Sequence, residues 1–195
     1  MDIYKALKRE KKYLKRFYIM MIILEIIMPL AVYLTGLSTF FYISYLLFME
    51  LLIAVAIMNK VNYTRLKFFC SNNRLKFKSV VFSKENLILC DKVVLVHTER
   101  MEENMEIILI TSVNFKNKGL KLIGEGFLKK YSSISHEYLK IKEANPKTLY
   151  YCQIIKRGGL KKYMLLDIIY RNCVKAEYTE EGIQNIKIAR GQTLV

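Results

Sequence analysis

Residues 17–34 read FYIMMIILEIIMPLAVYL and residues 40–58 read FFYISYLLFMELLIAVAIM, with only TGLST between them. At 1.5 Å rise per residue each run makes a helix of about 27–29 Å, enough to cross a hydrocarbon core. A cleaved signal peptide is the competing reading of the first run. That run is long, lacks a small-x-small cleavage site and is followed at once by a second span. Two membrane-spanning helices, 17–34 and 40–58, are therefore expected. A five-residue connection makes them an antiparallel hairpin.

The charges flanking the runs orient the hairpin. Lys5, Lys8, Arg9, Lys11, Lys12, Lys15 and Arg16 precede the first helix, and Lys60, Arg65, Lys67, Arg74, Lys76 and Lys78 follow the second. The connection carries no charge. The positive-inside rule puts both termini in the cytoplasm and the turn outside, a multi-pass protein of the cytoplasmic membrane. Tyr18, Tyr33, Tyr42 and Tyr45 stand where interfacial aromatic anchors are expected.

Glu25 and Glu50 interrupt the two runs, each the ninth residue from the cytoplasmic edge of its span. In an antiparallel hairpin that symmetry means equal depth. An ionised carboxylate there costs about 2.5–3.5 kcal/mol, and two at one level repel. One reading is an intramembrane polar site holding a proton, a cation or a basic group of another subunit. The other is a pair of neutral carboxyls that fix helix packing by hydrogen bonds. Pro29 frees the carbonyl of Glu25 four residues earlier, which adds a second polar group at that depth.

The whole chain has 195 residues, a formal charge of +15 and 53% apolar residues. Disorder is excluded by the apolar content, and a disulfide-stapled secreted domain by four widely spaced cysteines. The positive charge is concentrated in a collar. Segment 1–16 reads as a basic amphipathic helix, and 59–74 as a basic juxtamembrane linker with Tyr63, Leu66, Phe68 and Phe69. Basic and aromatic residues together can also signal nucleic acid. Position against the bilayer favours anionic lipid headgroups, with Lys8, Lys11, Lys12, Lys15, Arg16, Lys60, Arg65 and Lys67 as the lipid-surface residues. No nucleic-acid partner is expected.

Residues 75–195 suffice for one cytoplasmic α+β domain. Short apolar runs at 75–77, 80–82, 87–90, 93–97 and 105–115 predict an antiparallel meander, with 98–104 as a charged connection. Asn117-Lys118-Gly119 predicts a hairpin turn before 120–123. Phe127, Tyr131, Ile134, Tyr138 and Ile141 then recur at helical spacing, stopped by Asn145-Pro146. Residues 148–155 and 160–170 flank Arg157-Gly158-Gly159 as a second hairpin, with helix the alternative for 160–173. Residues 174–178 and 183–188 read as a last strand pair around Glu180-Glu181-Gly182.

Two apolar helices, then SKENLIL, then EIILITSVNFKNKGLKLIGEGF, then an amphipathic helix, together resemble bacterial membrane-anchored PH-like proteins. The resemblance spans roughly residues 17–144, with Ile110 and Val113 as its I-x-x-V pair and Gly119 and Leu122 after it. It implies a non-enzymatic scaffold or regulatory domain at the membrane and carries over no functional residue. Two features depart from it: few strands precede the helix, and about fifty residues follow.

No P-loop, dinucleotide fingerprint, HExxH or GxSxG is present, and no cysteine pair has CxxC spacing. A nucleophilic pair such as Cys90 with His97 stays open, but both read more simply as strand residues. Catalytic residues, metals and cofactors are not expected. The sequence thus leads to a bacterial adaptor or assembly factor, binding an unknown protein or itself at the inner membrane. The alternative is a subunit of an oligomeric transport, secretion or conjugation complex that uses Glu25 and Glu50.

Overall fold

The computed structural model describes residues 3–36, 39–80, 83–101, 104–115 and 117–192. α1 (Ile3–Thr35) and α2 (Phe40–Thr64) are both long and apolar enough to cross a membrane. α1 runs unbroken from the basic segment through the first apolar run. Gly36 ends it with φ 65° and donates its N–H to the Tyr33 carbonyl at 3.3 Å, a left-handed helix stop. Along the apolar runs most side chains are exposed; within α2 only Ile53 is buried.

Where a linker over 59–74 is expected, the chain is the end of α2 followed by β1 (Lys67–Ser71). Asn72 and Asn73, at φ 49° and 62°, turn β1 back into β2 (Arg74–Lys78), the left-handed pair that a two-residue hairpin needs. β3 (Asn86–Leu89) completes this three-stranded antiparallel sheet, and a single 3-10 turn leads on to β4 (Val93–Met101). The expected strand 80–82 falls mostly on residues 81–82, outside the described residues, as does Leu37 at the centre of the hairpin loop.

β4 pairs antiparallel with β5 (Asn104–Thr111) along its length. Positions 98–101, expected as a charged connection, are therefore strand. Two of the polar side chains there are satisfied in place: Asn185 donates to the Thr98 hydroxyl at 2.8 Å, and Glu99 accepts from His97 at 2.9 Å. After β6 (Leu120–Leu122) come α3 (Glu125–Lys130) and α4 (Ser132–Ala144), one expected helix broken at Tyr131 (φ −118°, ψ 65°). β7 (Tyr151–Ile155), α5 (Lys161–Asn172), β8 (Glu177–Tyr178) and α6 (Glu180–Ala189) finish the chain.

The second sheet has the order β6-β7-β5-β4-β8, antiparallel except for the parallel β4–β8 pair. β7, made after the helices, sits between β6 and β5. The sheet is thus incomplete until well past the stretch that resembles a PH-like protein. Two of the later strand expectations also change. Residues 161–172 take the helical alternative, and 180–189 form α6 instead of a strand. The Thr179 hydroxyl accepts the Gly182 N–H at 3.3 Å, and Glu180 and Glu181 favour the positive end of the helix.

Helices cover both faces of this sheet. On one, Leu165, Leu166, Ile169 and Ile186 of α5 and α6 pack on Val96, Ile107 and Leu109, and Leu75, Phe77 and Ile88 of the small sheet join them. On the other, Tyr131, Ile134 and Tyr138 pack on Leu95, Ile108 and Ile110. Asp167 pins α5 to α6 through Arg190 at 2.7 Å. The result is an α+β domain behind two candidate spans.

Candidate functional site: a basic pocket where the hairpin meets the sheet

The N-terminal end of α1 and the C-terminal end of α2 are built into the domain. Ile3 and Leu7, one turn apart, are buried. Leu66, two residues past α2, lies in the core of the α5 face. The loop before α5 closes on the same point: the Gly158 N–H donates to the Tyr63 carbonyl at 2.9 Å, holding Gly158 at φ 125°. A Cβ on Gly158 would stand 2.7 Å from Leu66, so both the backbone angle and the space require glycine. Gly159, at φ 51°, lies against the Glu10 carboxylate.

Beneath this joint sits Lys162, 1% exposed. Its Nζ donates to the Met105 carbonyl and, at 2.8 Å, to the Lys156 carbonyl. Burial pulls its pKa down to about 8 against the opposing pull of the Glu106 and Glu10 carboxylates. The ammonium is thus a satisfied structural tie between the start of α5 and the end of the β7 strand.

Beside the joint opens a cavity of about 620 Å³. Tyr4, Leu7, Lys8 and Lys11 line it from α1, at the i, i+3, i+4, i+7 spacing that places side chains on one helix face. Leu66, Lys67 and Phe68 supply the second wall, and Lys161 and Met164 of α5 the third. Four lysines therefore surround an apolar floor, and no acidic residue lines it. Such a cavity can hold an anion whose neighbouring part is apolar. It holds no ligand set for a metal. Among the described residues no group of three or more His, Cys, Asp or Glu is placed to bind one.

Of the lipid-surface residues read from the sequence, Lys8, Lys11 and Lys67 line this pocket. Lys12, Lys15 and Arg16 are exposed along α1 outside it, and Arg65 is half-buried. Lys60 is used within the hairpin: its Nζ lies 5.5 Å from the Tyr13 ring centre and 5.9 Å from those of Phe17 and Tyr63. Sequence reasoning missed Lys161. Its signal, a lysine pair one residue after Gly-Gly, gains meaning only once the loop is seen to dock on α2.

Glu25 is exposed and Glu50 half-buried. No hydrogen bond or ion pair joins them. The Cys90–His97 pairing does not form either: Cys90 lies 3.9 Å from Cys70, and all four cysteines are free thiols. His97 is fully buried, with Nδ1 2.9 Å from the Thr179 hydroxyl and Nε2 2.9 Å from Glu99. Ser133 stands 3.2 Å from the same Nε2 and also donates to Glu99. This network ties the first turn of α4 and the cap of α6 to β4. Burial raises the Glu99 carboxyl, but the Ser133 and His97 hydrogen bonds outweigh it and hold the pKa below the ordinary value.

No family model, curated protein or solved structure matches the chain.

Proposed function

We propose that the two apolar helices cross the cytoplasmic membrane of a bacterium, with both termini inside. The α+β domain is then held at the inner face as a non-enzymatic interaction or regulatory module. In this reading the four-lysine pocket takes the headgroup of an anionic lipid and the first carbons of its chains. The observation that carries it is the pocket itself: Lys8, Lys11, Lys67 and Lys161 around an apolar floor, formed by the basic start of α1 ahead of its apolar run, the chain just past the end of α2, and α5. Of this reading, the resemblance to PH-like membrane proteins implies only the non-enzymatic scaffold or regulatory domain at the membrane, with an unidentified protein or a second copy as the partner.

Native mass spectrometry of the full chain extracted from bilayers with and without phosphatidylglycerol tests the reading. Anionic lipid should remain bound to the wild type. Each lysine near a bilayer contributes about 1 kcal/mol, so K8A/K11A/K161A should weaken retention by roughly 100-fold. K12A/K15A, outside the pocket, should retain lipid as the wild type does. Equal loss in both variants would reduce the pocket to a diffuse basic surface.

One observation favours the alternative, an oligomeric transport or secretion subunit. Glu25 is exposed on the hairpin, so any group that pairs with it comes from another copy or another protein. Glu25→Gln that abolishes flux while leaving the assembly mass unchanged would establish that role.

A further inference from the structure

The face of the large sheet under α3 and α4 is only partly covered. Ile108 and Ile110 on β5 lie beneath Tyr131 and Ile134, but their register partners on β7, Ile154 and Cys152, form the floor of a second cavity of about 550 Å³. The wall toward the helices is Phe127, half-buried, with its ring centre 5.1 Å from that of Tyr131. Gly124 and Gly126, at the start of the same helix, also line it, and a Cβ on either would meet nothing within 4 Å, so the backbone there is open to a ligand. Lys121, Lys130 and Lys156 line the same cavity, and all three are exposed. Lys156 is partly neutralised, 3.7 Å from Glu106, which also accepts the Tyr131 hydroxyl at 2.7 Å. Lys121 and Lys130 carry no acidic partner among the described ion pairs.

From this arrangement we infer a second ligand site, for a nucleotide, lying between β6–β7 and α3. The planar base lies against the Phe127 ring over the apolar floor, because aromatic walls accept a ring face without specific hydrogen bonds. The phosphates lie toward Lys121 and Lys130, two ammonium groups without an acidic partner among the described ion pairs, Lys130 resting 5.3 Å from the Tyr131 ring centre. The cavity falls within the usual range of small-ligand sites, with an apolar floor and lysines from β6, α3 and the chain after β7 in its lining. The site is separate from the lysine pocket at the hairpin and shares no residue with it. It makes the domain a membrane-held module with a soluble ligand of its own.

The test is equilibrium dialysis of the full chain in nanodiscs against ADP, inorganic pyrophosphate and adenosine. ADP should bind saturably, and at least about tenfold more tightly than either fragment, because the site engages both ends of the nucleotide. K121A/K130A should weaken ADP by about tenfold or more, while K8A/K11A leaves it unchanged. Azido-adenosine diphosphate should label the peptides carrying residues 119–131 or 152–156, a readout that needs no variant to fold. Absence of saturable ADP binding, pyrophosphate binding as tightly as ADP, or labelling elsewhere in the chain would each overturn the assignment. The lipid reading is independent, since K8A/K11A/K161A removes lipid and not ADP.

Discussion

Ile107, Ile108, Leu109 and Ile110 of β5 and the run Ile22, Ile23, Ile26, Ile27 of α1 are nearly the same residues in opposite surroundings. The β5 side chains are fully buried, paired at both edges and covered by helices on both faces. Those of α1 are 50–62% exposed, with α2 as the neighbouring helix. Burying such a side chain is worth about 1.5–3 kcal/mol, so the domain has collected that energy internally and the hairpin has not. An unbroken apolar surface of this extent lies beyond what soluble monomers carry. Backbone hydrogen bonding in the helices is satisfied without neighbours, whereas β5 depends on β4 and β7 for its own. A helix can therefore leave its side chains to an apolar solvent and a lone strand cannot.

Truncating one side chain in each region gives the largest test of that contrast. Ile107→Ala should destabilise the domain by about 2–5 kcal/mol, the cost of lost burial plus a cavity. Ile26→Ala should leave domain stability unchanged. Urea unfolding of the full chain in nanodiscs, followed by tyrosine circular dichroism, reads both. Equal destabilisation would mean that α1 has a protein neighbour, and the contrast with β5 would fail.

The same contrast explains what the sequence discloses. The hairpin is legible because two runs of eighteen and nineteen residues, each with a single acidic or basic residue, leave few alternatives, and α4 because its period is clean to Asn145-Pro146. α6 was legible in principle: Thr179 followed by two glutamates is a helix start, but Ile183, Ile186 and Ile188 also read as a strand. β8 is two residues long and exists only through parallel pairing with β4, which no local pattern reports. For the lysine pocket, Lys8, Lys11 and Lys67 announce themselves beside the apolar runs. Lys161 joins them only through the docking of Gly158 on Tyr63, a contact between distant parts of the chain. The depths of Glu25 and Glu50 follow from counting residues, but the faces they present depend on helix rotation, which a symmetric pair of apolar runs does not encode.

Glycine sharpens the comparison at single positions. Gly36 and Gly158 both hold positive φ, but a Cβ on Gly36 meets nothing and one on Gly158 meets Leu66. Gly36→Ala should cost only the backbone term, on the order of 1 kcal/mol. Gly158→Val adds a clash in the core and should cost at least about 2 kcal/mol more. It should also speed amide exchange at Gly159 to Lys162 by freeing the loop from α2, an effect that hydrogen-exchange mass spectrometry resolves. Equal costs at the two glycines would show that the joint yields, and that hairpin and domain move independently.

The smallest effect concerns charge. Lys162 is a buried cation with two carbonyl acceptors, whereas Glu25 is an exposed carboxyl with no hydrogen-bond or ion-pair partner among the described residues. Because folding lowers the pKa of Lys162 to about 8, the native state releases its proton before the unfolded chain does. Between pH 8 and the unfolded value near 10.4 the unfolded state therefore binds more protons, and stability rises with pH. One proton gives at most about 1.4 kcal/mol per pH unit, and the two carbonyl hydrogen bonds reduce that by favouring the charged form. Tyrosines with raised pKa values, Tyr131 and Tyr178 among them, oppose the trend above pH 10, so the window is pH 8 to 9.5. Unfolding free energies of wild type and Lys162→Met in nanodiscs, taken at both ends of that window, isolate the term. The wild type should gain about 1 kcal/mol relative to the variant. A zero or negative difference would mean that Glu10 and Glu106 hold the ammonium charged throughout, making Lys162 an ion-paired joint between α1 and the sheet instead of a desolvated one.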